Sequence, residues 1–168
     1  ESLVNALGFP GRGLEFAATK LAESRTALGG TPVIVSVSGV TEDEIVRCHR
    51  RLEPLVDGVE VNISSPNTAG LRVFQEPERL QGLLGRINDE RSKPLFVKLP
   101  PFIQEEDAGT QEGAAGSREA ETSERVLALA GVCTRKGVEG LTVANTWPVR
   151  DPRLAVGSGG LSGWPLLA

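Results

Sequence analysis

Apolar positions recur along this chain in two alternating rhythms. Between Gly13 and Ala27, Leu14, Ala17, Ala18, Leu21 and Ala22 fall at helical spacing. Gly29-Gly30 stops that helix before Val33-Ile34-Val35-Ser36-Val37, which reads as a strand. Thr41 caps a second helix, Glu44 three residues on completes a capping box, and Ile45, Val46 and Leu52 form its apolar stripe as far as Pro54. Val59 to Ile63 alternates as a strand, and Pro77 opens a helix bearing Leu80, Leu83, Leu84 and Ile87. Pro94 introduces the strand Leu95-Phe96-Val97-Lys98-Leu99. Arg125 to Lys136 returns to helical spacing, Gly137 closes it, and Leu141-Thr142-Val143-Ala144-Asn145 forms a further strand.

Strands separated by helices pair in parallel through crossover connections, so the pattern predicts an α/β fold. A doubly wound sheet and a (β/α)8 TIM barrel both satisfy it. Ser36, Asn62, Lys98 and Asn145 stand at or near the ends of four different strands, which is how a barrel rim collects its polar groups. A doubly wound dinucleotide fold instead concentrates its signal in one glycine-rich turn. The barrel is favoured, and four strands make about half of one, with two open parallel edges. The expectation is that 1–168 is the central part of a (β/α)8 barrel domain and an internal fragment, since Leu161 to Leu167 reads as the approach to another helix. Residues 103–123, rich in Gly, Ala and Glu, are expected to form a disordered insertion rather than a lid.

Composition narrows the function classes. The 168 residues are 39% hydrophobic, enough for one core, with a net charge of −4. Residues 105–124 hold seven acidic residues and one Arg, so the rest of the chain is nearly neutral and has no basic stripe for nucleic acid. Cys48 and Cys133 lack metal-ligand spacing, and His49 is the chain's one histidine, so neither a metal site nor a disulfide framework is expected. Both cysteines lie on expected helices as buried free thiols. The longest apolar run, Val126 to Cys133, falls far short of the roughly 20 residues a membrane span needs.

The candidate chemistry begins at Asn62-Ile63-Ser64-Ser65-Pro66-Asn67-Thr68, where small hydrogen-bonding side chains follow a strand directly. Pro66 stiffens that turn, and the donors and acceptors around it suit a neutral, amide-rich heterocycle. Lys98 is the second signal: it shares a strand face with Phe96, opposite Leu95, Val97 and Leu99, and so points into the barrel. There it needs an anionic partner, either Glu60 on the neighbouring strand or the electron-rich edge of a bound cofactor. Asn145-Thr146 follows its strand as Asn62 does. Gly157-Ser158-Gly159-Gly160-Leu161-Ser162-Gly163 offers backbone N–H groups before an expected helix, suited to an anion or a flat ring, and has neither a P-loop nor a dinucleotide-turn pattern.

Asn62 to Arg72 resembles the N-[VI]-S-S-P-N-T-x-G-L-R signature of dihydroorotate dehydrogenases, particularly their class 2, quinone-dependent branch. Asn5-Ala6-Leu7-Gly8-Phe9, Phe96-Val97-Lys98, and Asn145-Thr146 with Gly159-Gly160-Leu161-Ser162-Gly163 fall in the family's order, so the likeness spans nearly the whole chain. It implies a flavin mononucleotide (FMN)-dependent barrel that oxidises dihydroorotate to orotate in pyrimidine synthesis. By the same resemblance Ser65 is the catalytic base, and Thr68 and Phe9 shape the proton's exit. Asn5, Asn62, Asn67, Asn145 and Thr146 hold the substrate, while Ser36, Asn62, Lys98, Ala144 and Gly163 surround the flavin. Ser at position 65, where class 1 enzymes carry Cys, implies quinone as electron acceptor and peripheral membrane association; a class 1 enzyme is cytoplasmic. The chain departs from the class 2 pattern at Ser36, Ala144 and Pro10-Gly11-Arg12. A related flavin barrel acting on another dihydropyrimidine, and a non-catalytic truncated remnant, are the competing readings. The isolated chain is expected to bind flavin poorly and to be inactive.

Overall fold

The computed structural model describes residues 2–65, 69–101, 115–143 and 145–164. In chain order its elements are β1 (Ser2–Asn5), α1 (Leu14–Ser24), β2 (Ile34–Val37), α2 (Glu42–Leu52), β3 (Gly58–Asn62), α3 (Pro77–Asn88), β4 (Leu95–Lys98), α4 (Ala115–Arg135), β5 (Gly140–Thr142), β6 (Trp147–Arg150) and β7 (Ser158–Gly163). Short 3-10 turns occupy Glu53–Leu55 and Ala69–Gln75.

The helices start and stop where local chemistry says they must. Thr41 Oγ1 accepts from the Glu44 N–H, and the Glu44 carboxylate accepts from the Thr41 N–H, closing the capping box at the start of α2. Pro77 occupies the first turn of α3, where its missing N–H costs nothing. Gly137, at φ 67°, ends α4 in the left-handed region, and the Val138 N–H reaches back to the Cys133 carbonyl. Arg25 and Asp57 tie the chain after α1 to the start of β3 through two hydrogen bonds of 2.8 and 2.6 Å. That guanidinium, with the Val33 N–H, holds the Asp57 carboxyl down to about 2.

Strands β2, β3, β4 and β5 form one parallel sheet in that order, joined by α2, α3 and α4. The sheet's two faces differ sharply. On the helix side Val59, Val61, Ile63, Leu95, Val97 and Leu99 are fully buried. They pack with Ile45 and Leu52 from α2, Leu80, Leu83, Leu84 and Ile87 from α3, and Val126, Leu129 and Val132 from α4. The opposite face carries Ile34, Ser36, Glu60, Asn62, Phe96, Lys98 and Thr142, and apart from Asn62 these remain partly or fully accessible. Phe96 lies between two glycines on this face: a Cβ at Gly140 would sit 2.7 Å from its ring, and one at Gly58 3.1 Å. Helices on one side and a half-covered inward face on the other make this α/β unit a partial (β/α)8 barrel.

A second sheet was not expected. β1, β7 and β6 pair antiparallel with β7 in the middle. The glycine-rich stretch read as an anion-binding loop before a helix is therefore a strand, with ladder partners on both sides. Its glycines admit close neighbours: a Cβ at Gly159 would lie 2.5 Å from the Asn5 carbonyl oxygen, and one at Gly160 2.1 Å from Thr146 Oγ1. A second correction concerns α4, which begins at Ala115 rather than Arg125, so the end of the 103–123 stretch is helical. Its first part, 103–114, lies outside the described residues. Cys133 is a buried free thiol as expected, pushed up to about 11 by burial, whereas Cys48 is only half-buried.

Candidate active site

At the C-terminal ends of the parallel strands the two sheets meet around an open cavity of about 200 Å³. Asn5, Gly8, Phe9, Asn62, Ser65, Lys98, Asn145 and Thr146 line it. Each comes from a different constraint. Asn5 is the last residue of β1, placed by the β7 ladder that pairs it with Gly160. Asn62 and Lys98 end adjacent strands and are register partners, so their side chains leave the same face side by side. Ser65 follows β3 and is 6% exposed. Asn145 and Thr146 bridge β5 to β6, and Thr146 fits there because position 160 has no side chain.

A hydrogen-bond chain fixes the two carboxamides. Asn62 Oδ1 accepts from the Ser64 N–H at 3.0 Å and from Ser64 Oγ at 2.7 Å. Asn145 Nδ2 donates to Ser64 Oγ at 2.8 Å, and Asn145 Oδ1 accepts from the Thr146 N–H at 2.7 Å. Ser64, only 2% exposed, is thus the link between the end of β3 and the chain after β5. Sequence reasoning passed over it because it neither lines the cavity nor titrates. Its adjacency to Asn62 was the available clue, since Asn side chains habitually capture a backbone N–H two residues on. With both Oδ1 atoms committed, Asn62 offers a ligand its Nδ2 donors.

Of the expected site residues, Asn5, Phe9, Asn62, Ser65, Lys98, Asn145 and Thr146 converge on this cavity. Ser36 and Gly163 do not line it: Ser36 Oγ donates to Glu60, and Gly163 pairs with Ser2 at the far end of β7. Asn67, Thr68 and Ala144 lie outside the described residues. Glu60 was one of two expected partners for Lys98. Its carboxylate instead accepts from Ser36 Oγ at 2.6 Å and from Thr142 Oγ1. Lys98 forms no ion pair among the described residues, and its side chain lines the cavity.

This donor set fits an electron-rich, planar heterocycle. One cation, fixed amide donors and a hydroxyl stand around a space the size of a single ring, and the half-exposed inward face of the sheet continues beneath it. No cluster of His, Cys, Asp and Glu suited to a metal occurs among the described residues.

Comparison with known proteins gives the same direction. Residues 1–167 match the family model described as dihydroorotate dehydrogenase. The chain is 32% identical over 189 residues to the dihydroorotate dehydrogenase (quinone) of Chloroflexus aurantiacus, covering 100% of this chain and 47% of that protein. It is 38% identical over 183 residues to the dihydroorotate dehydrogenase (quinone) of Anaeromyxobacter sp. strain K, covering 98% and 45%. The ligand-free DHODH of Eimeria tenella shares the fold with a TM-score of 0.71 at 24% identity, over 98% of this chain and 51% of that one. The chain therefore spans about half the length of the curated relatives it matches. With nearly every residue inside the family match, the chain belongs to the dihydroorotate dehydrogenase family.

Proposed function

We propose that this chain carries the substrate-facing part of an FMN-dependent oxidation of dihydroorotate to orotate, with Ser65 as the base. The observation that supports it is the convergence of Ser65, Lys98, Asn62 and Asn145 on one cavity at the strand ends. Asn5, Asn62, Asn67, Asn145 and Thr146 bind the ring and its carboxylate. Their amides meet an imide edge with donors and acceptors alternately placed, which aligns the reacting carbon with the base. FMN, when bound, would supply the hydride acceptor for C6.

Ser65 takes the C5 proton. A serine hydroxyl is a weak base at its ordinary pKa, so it acts only if its own proton is passed on as the new one arrives. Thr68 and Phe9 frame that exit, the first as a relay hydroxyl and the second by keeping bulk water from the ring. Lys98 and Asn62 would hold the electron-rich edge of the cofactor, where the ammonium would favour negative charge. Ala144 and Gly163 border the same group. The relatives are named as quinone enzymes, and a membrane quinone is the proposed acceptor, reached by peripheral association. No helix among the described residues is long and apolar enough to cross a membrane.

The test is anaerobic stopped-flow mixing of the full-length, FMN-loaded protein with dihydroorotate, followed by loss of flavin absorbance. Ser65→Ala is expected to slow bleaching by about 10²-fold or more, the usual contribution of a positioned base. Bleaching at the parental rate in that variant overturns the assignment, and bleaching only by another dihydropyrimidine moves the substrate.

A further inference from the structure

The inward face of the parallel sheet holds a carboxylate close to the cavity that plays no part in the chemistry just described. Glu60 sits two residues before Asn62 on β3, level with Ser36 on β2 and Phe96 on β4. Its two oxygens are spread between strands. Oε1 accepts from Ser36 Oγ at 2.6 Å, and Oε2 accepts from Thr142 Oγ1, which lies beyond β4 on β5. The carboxylate therefore lies across β4 on the face that also carries Lys98. Lys98 is in register with Asn62 on one side and with Thr142 on the other, which makes Glu60 its diagonal neighbour. Long side chains at such positions ordinarily meet. Here they do not: Glu60 meets Ser36 and Thr142 instead, and Lys98 has no ion-pair partner among the described residues.

We propose that the Ser36 and Thr142 hydroxyls act as a clasp that holds Glu60 away from Lys98, making Ser36, Glu60 and Thr142 positioning residues for the Lys98 charge. Two O–H donors to one carboxylate are charge-assisted bonds and are short. A half-exposed ammonium–carboxylate pair is weak by comparison, because water screens it and two long side chains must be ordered. The clasp thus wins, and the lysine charge stays available to a ligand in the cavity.

The claim about Lys98 stands on geometry alone; only its benefit to a cofactor rests on the FMN reading, so the two are tested separately. First, the rate at which Lys98 is acylated by an amine-reactive ester is followed by mass spectrometry in the parent, in S36A/T142V and in S36A/E60Q/T142V. Freed from the clasp, Glu60 pairs with Lys98, so acylation is expected to slow several-fold in the double variant. The triple variant, with no carboxylate to pair, is expected to return to the parental rate. Equal rates in parent and double variant overturn the proposal, as does a triple variant as slow as the double. Ser36→Ala alone, which leaves one hydroxyl in place, is expected to give an intermediate rate. Second, FMN affinity is measured by quenching of flavin fluorescence. It is expected to weaken by up to about fivefold in the double variant, the worth of a half-exposed ion pair that must be broken, and to recover in the triple. If acylation follows the expected order while FMN affinity is indifferent to all three, the clasp holds and the cofactor reading fails.

Discussion

Ser64 shows how a residue with no chemistry of its own can decide the shape of a site. Its hydroxyl donates to Asn62 and accepts from Asn145, so two carboxamides from different strands share one buried oxygen. Ser64→Ala removes that oxygen without opening a large space. It leaves Asn62 Oδ1 with a single donor and the Asn145 amide without its acceptor, at an expected cost of about 1–3 kcal/mol. Urea unfolding of parent and variant measures it, and a difference below about 0.5 kcal/mol would mean the two carboxamides are not coupled through Ser64 in solution. At this scale the sequence already marked Asn62, Ser65, Lys98 and Asn145, because polar residues after apolar strands stand out. It did not mark Ser64, whose partners lie two and 81 residues away, or the true partners of Glu60. Lys98 and the two hydroxyls compete for one carboxylate, and only coordinates show which of them it meets.

Elements differ in how much of themselves they carry locally. α2 is self-specified: its capping box closes within four residues, acidic residues fill its first turn, and Arg50 and Arg51 stand in its last, charges favourable against the helix dipole. α3 has its proline and its apolar stripe. The strands of the second sheet have nothing comparable. β7 is Ser-Gly-Gly-Leu-Ser-Gly, with no apolar alternation to detect, and is a strand only because β1 and β6 supply partners 161 and 14 residues away, at Ser2↔Gly163 and Trp147↔Leu161. The start of α4 was hidden differently: Ala, Glu and Arg are good helix formers, but Gly116, Ser117 and Thr122 interrupt the stripe that announces a helix. One prediction belongs to α2. His49 is 3% exposed, and burial holds its imidazole below the ordinary value of 6.5, against the opposing pull of Glu53. The unfolded chain therefore binds the proton more readily, so stability is complete above about pH 6.5 and declines as pH falls from there. Because His49 is the chain's one histidine, the change in urea midpoint between about pH 7.5 and about pH 5 reports on it directly. His49→Gln is expected to flatten that slope, and an unaltered slope would assign it to other groups.

Taken whole, the molecule has a finished side and an unfinished one. The helix-covered face of the parallel sheet is as dry as any protein interior, with Val97 at 0% exposure, while on the inward face Ile34 is 54% exposed at the edge strand. Family membership and coverage of about half of each relative place this asymmetry in a barrel whose inward face is normally lined from all round. Two truncations to Ala then separate two states of the molecule. Val97→Ala removes buried methyl groups from a packed layer and is expected to cost about 1–3 kcal/mol, by lost burial together with the space left behind. Ile34→Ala, on a face open to water, is expected to cost less than about 0.5 kcal/mol, as surface changes usually do. Both are read from denaturant midpoints at fixed slope. If Ile34→Ala proves as costly as Val97→Ala, the inward face is covered in solution, and dilution distinguishes how. A cost that fades as protein concentration falls means that other copies supply the cover, since only association depends on concentration. A cost that persists on dilution means that the chain covers the face itself, and the cavity beside Lys98 is then more enclosed than the strand ends alone make it.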